Sequence, residues 1–89
     1  MHVPVPQQVT FRVYTKPRCA QCAATLNWLS RRGVGGIEID DPGELVGAAQ
    51  RAGVASAPVV EVVRDGKIAG SWGGFRPDLI DRWVIDGGE

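Results

Sequence analysis

Two cysteines, Cys19 and Cys22, are the only thiols in this chain of 89 residues, and two positions separate them. The residues before them, Val9-Thr10-Phe11-Arg12-Val13-Tyr14, have the β-branched and aromatic content of a strand. Those after, Cys22, Thr25, Leu26 and Leu29, recur at helical spacing. Cys19 therefore falls where a helix begins, beside N–H groups with no intrahelical partner, and that positive end of the dipole favours a thiolate. Lys16 and Arg18 add positive charge nearby. Cys22 lies one turn further in, within reach of Cys19 for a disulfide. The chemistry this arrangement offers is a reversible dithiol switch.

A C-x-x-C at a strand-to-helix junction in a small α/β chain is the thioredoxin-like redox signature. Two other uses of the pair compete with it. A structural zinc ion takes four Cys or His ligands, whereas this chain offers two cysteines and His2 in a loose lead-in. A purely structural disulfide is open too, although a bridge across so short a loop removes little chain entropy. Neither a metal nor a bound cofactor is expected.

Chain length allows one small domain with a single sheet and a few helices. Ten basic and ten acidic residues balance, so no basic field points to nucleic acid or an anionic membrane. No stretch approaches the roughly 20 apolar residues of a membrane helix. The first eight residues lack a charged region followed by an apolar core, so no signal peptide is expected. The expectation is a cytoplasmic monomer, in a compartment where a thiol pair stays reduced and serves catalysis rather than structure.

The elements that must position the cysteines follow in order. Residues 1–8, with two prolines and two glutamines, read as a loose segment, and 86–89 as a polar tail, leaving 9–85 as the domain. A first strand spans Val9 to Tyr14, with Pro17 ending it, and a first helix spans Ala20 to Arg32, terminated by Gly33. Trp28 lies off the apolar face of that helix, as a flank residue on the sheet edge or as part of a partner-binding patch. Ile37 to Asp40 is a short second strand, parallel to the first by the strand–helix–strand spacing. Asp41 as cap, Pro42 at the first position and Gly53 past the end punctuate a second helix. Its apolar side offers Leu45, Val46, Ala48, Ala49 and Ala52. Pro58 to Val63 reads as a central strand, and Asp65-Gly66 as a hairpin into a strand over Ile68–Ser71. A glycine-rich connector, Trp72 to Phe75, leads to a last helix opening at Pro77, with Leu79, Ile80, Trp83 and Val84 on one face. The order is β-α-β-α-β-β-α.

Three segments together resemble the NrdH-type redoxins, glutaredoxin-like proteins of the thioredoxin superfamily. They are Thr15 to Cys22, Ala57-Pro58-Val59-Val60, and Trp72-Gly73-Gly74-Phe75-Arg76-Pro77-Asp78. The last is the most specific, and the resemblance runs from about Val9 to Trp83. It implies a thioredoxin/glutaredoxin fold, a four-stranded mixed sheet with three helices. It also implies electron transport from thioredoxin reductase to the large subunit of class Ib ribonucleotide reductase, in deoxyribonucleotide synthesis. By the same resemblance, Cys19 is the nucleophile and Cys22 the resolving thiol. Pro58 matches a cis-proline whose neighbour Ala57 exposes backbone to an extended substrate strand. Lys16, Arg18, Ala57, Pro58, Trp72, Gly74, Phe75 and Arg76 form the implied partner-binding set. For Trp72 and Phe75, core packing is the competing role.

The chain departs from the family in places. Gly73 stands where a serine is usual, and the resulting Gly73-Gly74 is similar to the glutathione-binding loop of ordinary glutaredoxins. The acidic pair expected after that loop is replaced by Arg76 and Pro77, and the motif holds Ala20-Gln21 rather than Pro-Tyr. The segment from Ile37 to Gly53 looks shorter than usual for the family. A glutathione-dependent glutaredoxin is therefore the alternative function. A non-catalytic binding module with a structural disulfide is a second.

Overall fold

Alternation along Thr10–Tyr14 (β1) sends Phe11 and Val13 to one side of the sheet and Arg12 and Tyr14 to the other. This split organises the two layers of the computed structural model, which describes residues 9–86. Helix α1 (Ala20–Arg31) returns the chain to β2 (Gly36–Ile39), which pairs parallel to β1 with Phe11 opposite Gly36 and Tyr14 opposite Ile39. Helix α2 (Pro42–Ala52) leads to β3 (Val59–Arg64), antiparallel to β1, and a hairpin leads to β4 (Lys67–Gly73). The sheet order is β2-β1-β3-β4, and α3 (Pro77–Asp86) closes the domain. The order of elements and the mixed four-stranded sheet are those implied by the sequence.

Local signals account for most boundaries. Asp41 accepts from the Glu44 N–H at 2.9 Å, Pro42 needs no partner for its nitrogen, and Gly53 ends α2 at φ 71°. At the hairpin, Asp65 and Gly66 both take positive φ, 54° and 75°, as a two-residue turn matching strand twist requires. Two expectations need correction. β4 continues through Trp72 and Gly73, assigned above to the connector, because they pair with Val60 and Val59 and the Trp72 side chain is buried. Val46 is 56% exposed, since the inward stripe of α2 is Leu45, Ala48, Ala49 and Ala52 and Val46 lies off it.

On one face, Phe11, Val13, Leu29, Val60, Val62, Trp72 and Ile80 form the core beneath α1 and α3. Gly70 makes room there. A Cβ at this position would lie 2.7 Å from the Trp83 ring, so its absence lets α3 settle onto β4. On the other face, Tyr14, Ala48 and Val59 pack under α2. Among the described residues, no helix is long and apolar enough to cross a membrane. The expectations for residues 1–8 and for 87–89, including His2, lie outside the described residues.

The α2 face also buries a charge that the sequence reading left as an ordinary strand residue. Glu61 has no solvent exposure. The Tyr14 hydroxyl donates to its Oε1 at 2.7 Å, Arg51 Nε donates to Oε2 at 2.9 Å, and Arg12 lies 4.0 Å from Oε1. Burial alone would raise the carboxyl's pKa, but the bonds from Arg51 and Tyr14 and the charges of both arginines outweigh it, leaving a net lowering. Burial first, and the bond to Glu61 next, push the Tyr14 hydroxyl up. A carboxyl lowered in the fold contributes stability above its unfolded pKa, about 4.3, that is lost as pH falls through the folded value. Glu61→Gln is expected to cost about 1–3 kcal/mol near pH 7 and to flatten the acid limb of a stability–pH curve. Chemical denaturation from pH 3 to 7 reads both. An unchanged slope in the variant would assign the acid limb to other carboxyls.

Candidate functional site

The site is built where β1 hands over to α1. Thr15 extends the pairing with β2, its N–H donating to Ile39 O at 3.0 Å, and its buried hydroxyl donates to Glu38 Oε2 at 3.0 Å. Pro17 and Arg18 then turn the chain, Arg18 taking the left-handed φ of 54°. Cys19 is the N-cap of α1, with extended backbone. Its Sγ accepts the Cys22 N–H at 3.1 Å, the role a serine or aspartate oxygen plays at other helix starts. No acidic residue occupies the first turn, so nothing there opposes the positive end of the dipole.

Cys19 and Cys22 are joined in a disulfide, their Cα atoms 5.2 Å apart. Cys22 is 4% exposed and lies on the buried face with Thr25 and Leu29, while Cys19 is half-buried. The two cysteines thus differ in accessibility, Cys19 at the surface and Cys22 beneath it. An open cleft of about 550 Å³ borders the pair, lined by Lys16, Arg18 and Glu38 at its polar parts and by Ala23 and Leu26 at its apolar ones.

A second strand of contacts ties this helix start to the two other motifs. The Ala57–Pro58 peptide bond is cis, and Pro58 O accepts from the Gly74 N–H at 2.8 Å. The next amide, Phe75 N–H, donates to Oε1 of Gln21 at 2.9 Å, inside the C-x-x-C. Gly74 has φ 83°, and a Cβ there would approach that same Oε1 to 3.0 Å. Sequence reasoning treated Gln21 as a departure and missed this link. Its only local signal was a long amide side chain at an exposed position of the motif. Glu38 was missed too, having been read as a strand residue alone.

The remaining candidates divide. Trp72 is 6% exposed and lies in the α1/α3 core, the burial that its packing role requires. Phe75 is half-buried, its ring edge-on to Trp28 with centroids 5.9 Å apart. Trp28 packs between α1 and α3 rather than on the sheet edge: its Nε1 donates to Asp81 at 2.8 Å, and Arg32 stacks on it while bridging Asp81. Arg32 first, then Trp28, hold the Asp81 carboxyl below its ordinary range. Arg76 is engaged by Asp78 through two bonds of 3.1 and 2.9 Å. Gly73 is a packing glycine, for a Cβ there would meet Ser56 Oγ at 2.6 Å and Val54 at 3.0 Å. Among the described residues, no three His, Cys, Asp or Glu side chains converge as a metal site.

A mixed sheet ordered β2-β1-β3-β4, a C-x-x-C capping α1 and a cis-proline before β3 define a thioredoxin-fold dithiol protein. Thioredoxin f from spinach chloroplast shares this fold, with a TM-score of 0.70 at 14% identity over 93% of this chain and 79% of that one. The glutaredoxin-like protein NrdH of Escherichia coli K12 is 39% identical over 74 residues, 79% of this chain and 83% of the relative. The solved NrdH-redoxin of Escherichia coli has a TM-score of 0.65 at 36% identity, covering 82% of this chain and 92% of that one. No protein-family model matches the chain. The chain belongs to the NrdH glutaredoxin-like proteins.

Two outcomes follow from the burial pattern. In the reduced protein, substoichiometric iodoacetamide is expected to label Cys19 ahead of Cys22, read by peptide mass. Preferential labelling of Cys22 would reverse the order of the two thiols. Trp72→Ala is expected to cost about 3–5 kcal/mol of stability, as truncated core aromatics do. Its folded fraction should reduce protein and small aromatic disulfides with equal retention. Selective loss of the protein substrate would return Trp72 to a docking role.

Proposed function

We propose that this chain is a dithiol–disulfide oxidoreductase that carries electrons to a protein disulfide, most specifically that of a class Ib ribonucleotide reductase large subunit, and is itself reduced by thioredoxin reductase. The observation that carries the reading is the asymmetric pair at the start of α1, Cys19 half-buried as N-cap and Cys22 buried behind it. The reduced Cys19 thiolate attacks the target disulfide, forming a mixed disulfide and releasing one target thiolate. Cys22 then attacks Cys19 Sγ, the second target sulfur leaves as thiolate, and the protein keeps the two-electron oxidised bridge. The solved Escherichia coli NrdH-redoxin is described as having a thioredoxin-like activity profile, which supports the choice of donor.

Gly73-Gly74 favours the same choice. Gly73 is consumed in packing against Val54 and Ser56, Gly74 in its bond to Pro58, and Arg76 is already paired with Asp78. The carboxylate that follows this loop, Asp78, is engaged by Arg76 through both oxygens and is not free for the tripeptide's ammonium group. Each missing charge-assisted bond costs about 1.5–3 kcal/mol, roughly tenfold or more in affinity. With NADPH and thioredoxin reductase, a catalytic amount of this protein should sustain reduction of a protein disulfide. With glutathione and glutathione reductase it should not. Comparable turnover in the second mixture would make the protein a glutaredoxin.

A further inference from the structure

The cleft beside the disulfide carries both signs of charge, and among the described residues its charged groups are not paired with opposite charges. Lys16 and Arg18, both exposed, make no ion pair or side-chain hydrogen bond among the described residues. Among the described residues, Glu38 receives only the neutral Thr15 hydroxyl, which fixes one carboxylate oxygen, and no cation pairs with it. Its register opposite Val13 puts it on the α1 face of the sheet, the face that carries Cys22. Elsewhere the carboxylates of Glu61, Asp78 and Asp81 are each taken up by arginines. Ala23 and Leu26 supply an apolar wall between the two charged parts. The volume, about 550 Å³, lies in the range that holds small molecules.

We propose that this cleft binds low-molecular-weight amino-acid disulfides of the cystine type as substrates, the α-carboxylate facing Lys16 and Arg18 and the α-ammonium facing Glu38. This rests on the dithiol reading above and names a second substrate class for the same thiols. The ligand's CH₂–S–S–CH₂ segment lies along Ala23 and Leu26 toward Cys19. The Cys19 thiolate attacks the nearer sulfur, the ligand's S–S bond breaks, and one cysteine leaves as thiolate to be protonated by water. Cys22 loses its proton to water and attacks Cys19 Sγ, expelling the second cysteine. The protein dithiol is oxidised by two electrons, and one cystine is reduced to two cysteines.

The test is single-turnover oxidation of the pre-reduced protein, its remaining thiols counted by alkylation and mass. Four probes are used: cystine, cystamine (ammonium only), dithiodipropionate (carboxylate only) and neutral hydroxyethyl disulfide. Their leaving thiols differ in pKa, so the readout is the change in rate ratio on substitution, which cancels intrinsic reactivity. Glu38→Gln should lower the cystine-to-dithiodipropionate ratio about tenfold, and the Lys16→Gln/Arg18→Gln double variant should lower the cystine-to-cystamine ratio about as much. Ratios unchanged in both variants would overturn the proposal, as would equal loss for every probe. If the wild-type protein is oxidised by none of the four, including the neutral disulfide, the dithiol reading itself fails.

Discussion

A disulfide between residues three apart in sequence closes at a helix start, and that start must be held at the rim of a sheet while the rest of the helix is buried. The Cys19 cap does both jobs at once. Its sulfur takes the Cys22 amide, one of the donors that every helix leaves unpaired, so the group that begins α1 is also one end of the disulfide. When the bridge is reduced, the same amide and the same dipole remain to favour a thiolate. The reactive geometry is thus a by-product of helix capping, and it persists for as long as α1 stays docked.

Docking is secured from two directions. Below, Leu29 packs in one core with Phe11 and Val13 of β1; a Cβ on Gly36 would come within 2.9 Å of Leu29, so glycine there lets the helix lie close to β2. Laterally, Trp28 and Arg32 share Asp81 of α3, and Trp83 of α3 fills the space that Gly70 leaves on β4. At the reactive end, Gln21 meets Phe75, and the adjacent Gly74 meets Pro58. Three motifs distant in sequence are therefore joined through backbone amides and one side-chain amide. Main-chain donors constrain a loop more tightly than surface ion pairs do, because they have no rotamers to lose.

How much of this was legible depends on the range of the interaction. The cap of α2, its terminating Gly53 and the Asp65-Gly66 turn were readable because each is decided within four residues. The cysteine pair was readable for the same reason. Glu61 was not, since its partners Tyr14 and Arg51 come from a different strand and a helix. The end of β4 was missed because Gly73-Gly74 carries the composition of a turn, while pairing of Trp72 with Val60 overrides it. The small residue at Gly70 had no meaning until Trp83 was set over it. Fold and cysteine pair belong to local patterning, and the surroundings of the site belong to tertiary contacts.

The same division governs charge. Arg12 and Arg51 converge on Glu61 on the α2 face, and Arg32 holds Asp81 between the helices, so these cations are spent on structure. Lys16 and Arg18 come from the loop that must turn from strand to helix, where the backbone of Arg18 is left-handed; Glu38 lines the same cleft, but among the described residues no carboxylate pairs with either cation. Charge left uncompensated at such a turn keeps its field for whatever approaches Cys19, and at physiological ionic strength that field reaches about 8 Å. Glu38, fixed by Thr15 at the base of the same turn, limits how anionic that approaching group can be. The charges that line this cleft thus come from the β1–α1 turn and β2, whereas the cysteines stand in the first turn of α1. Substitutions in the former can therefore change the charge of the cleft without altering the Cys19 cap of α1.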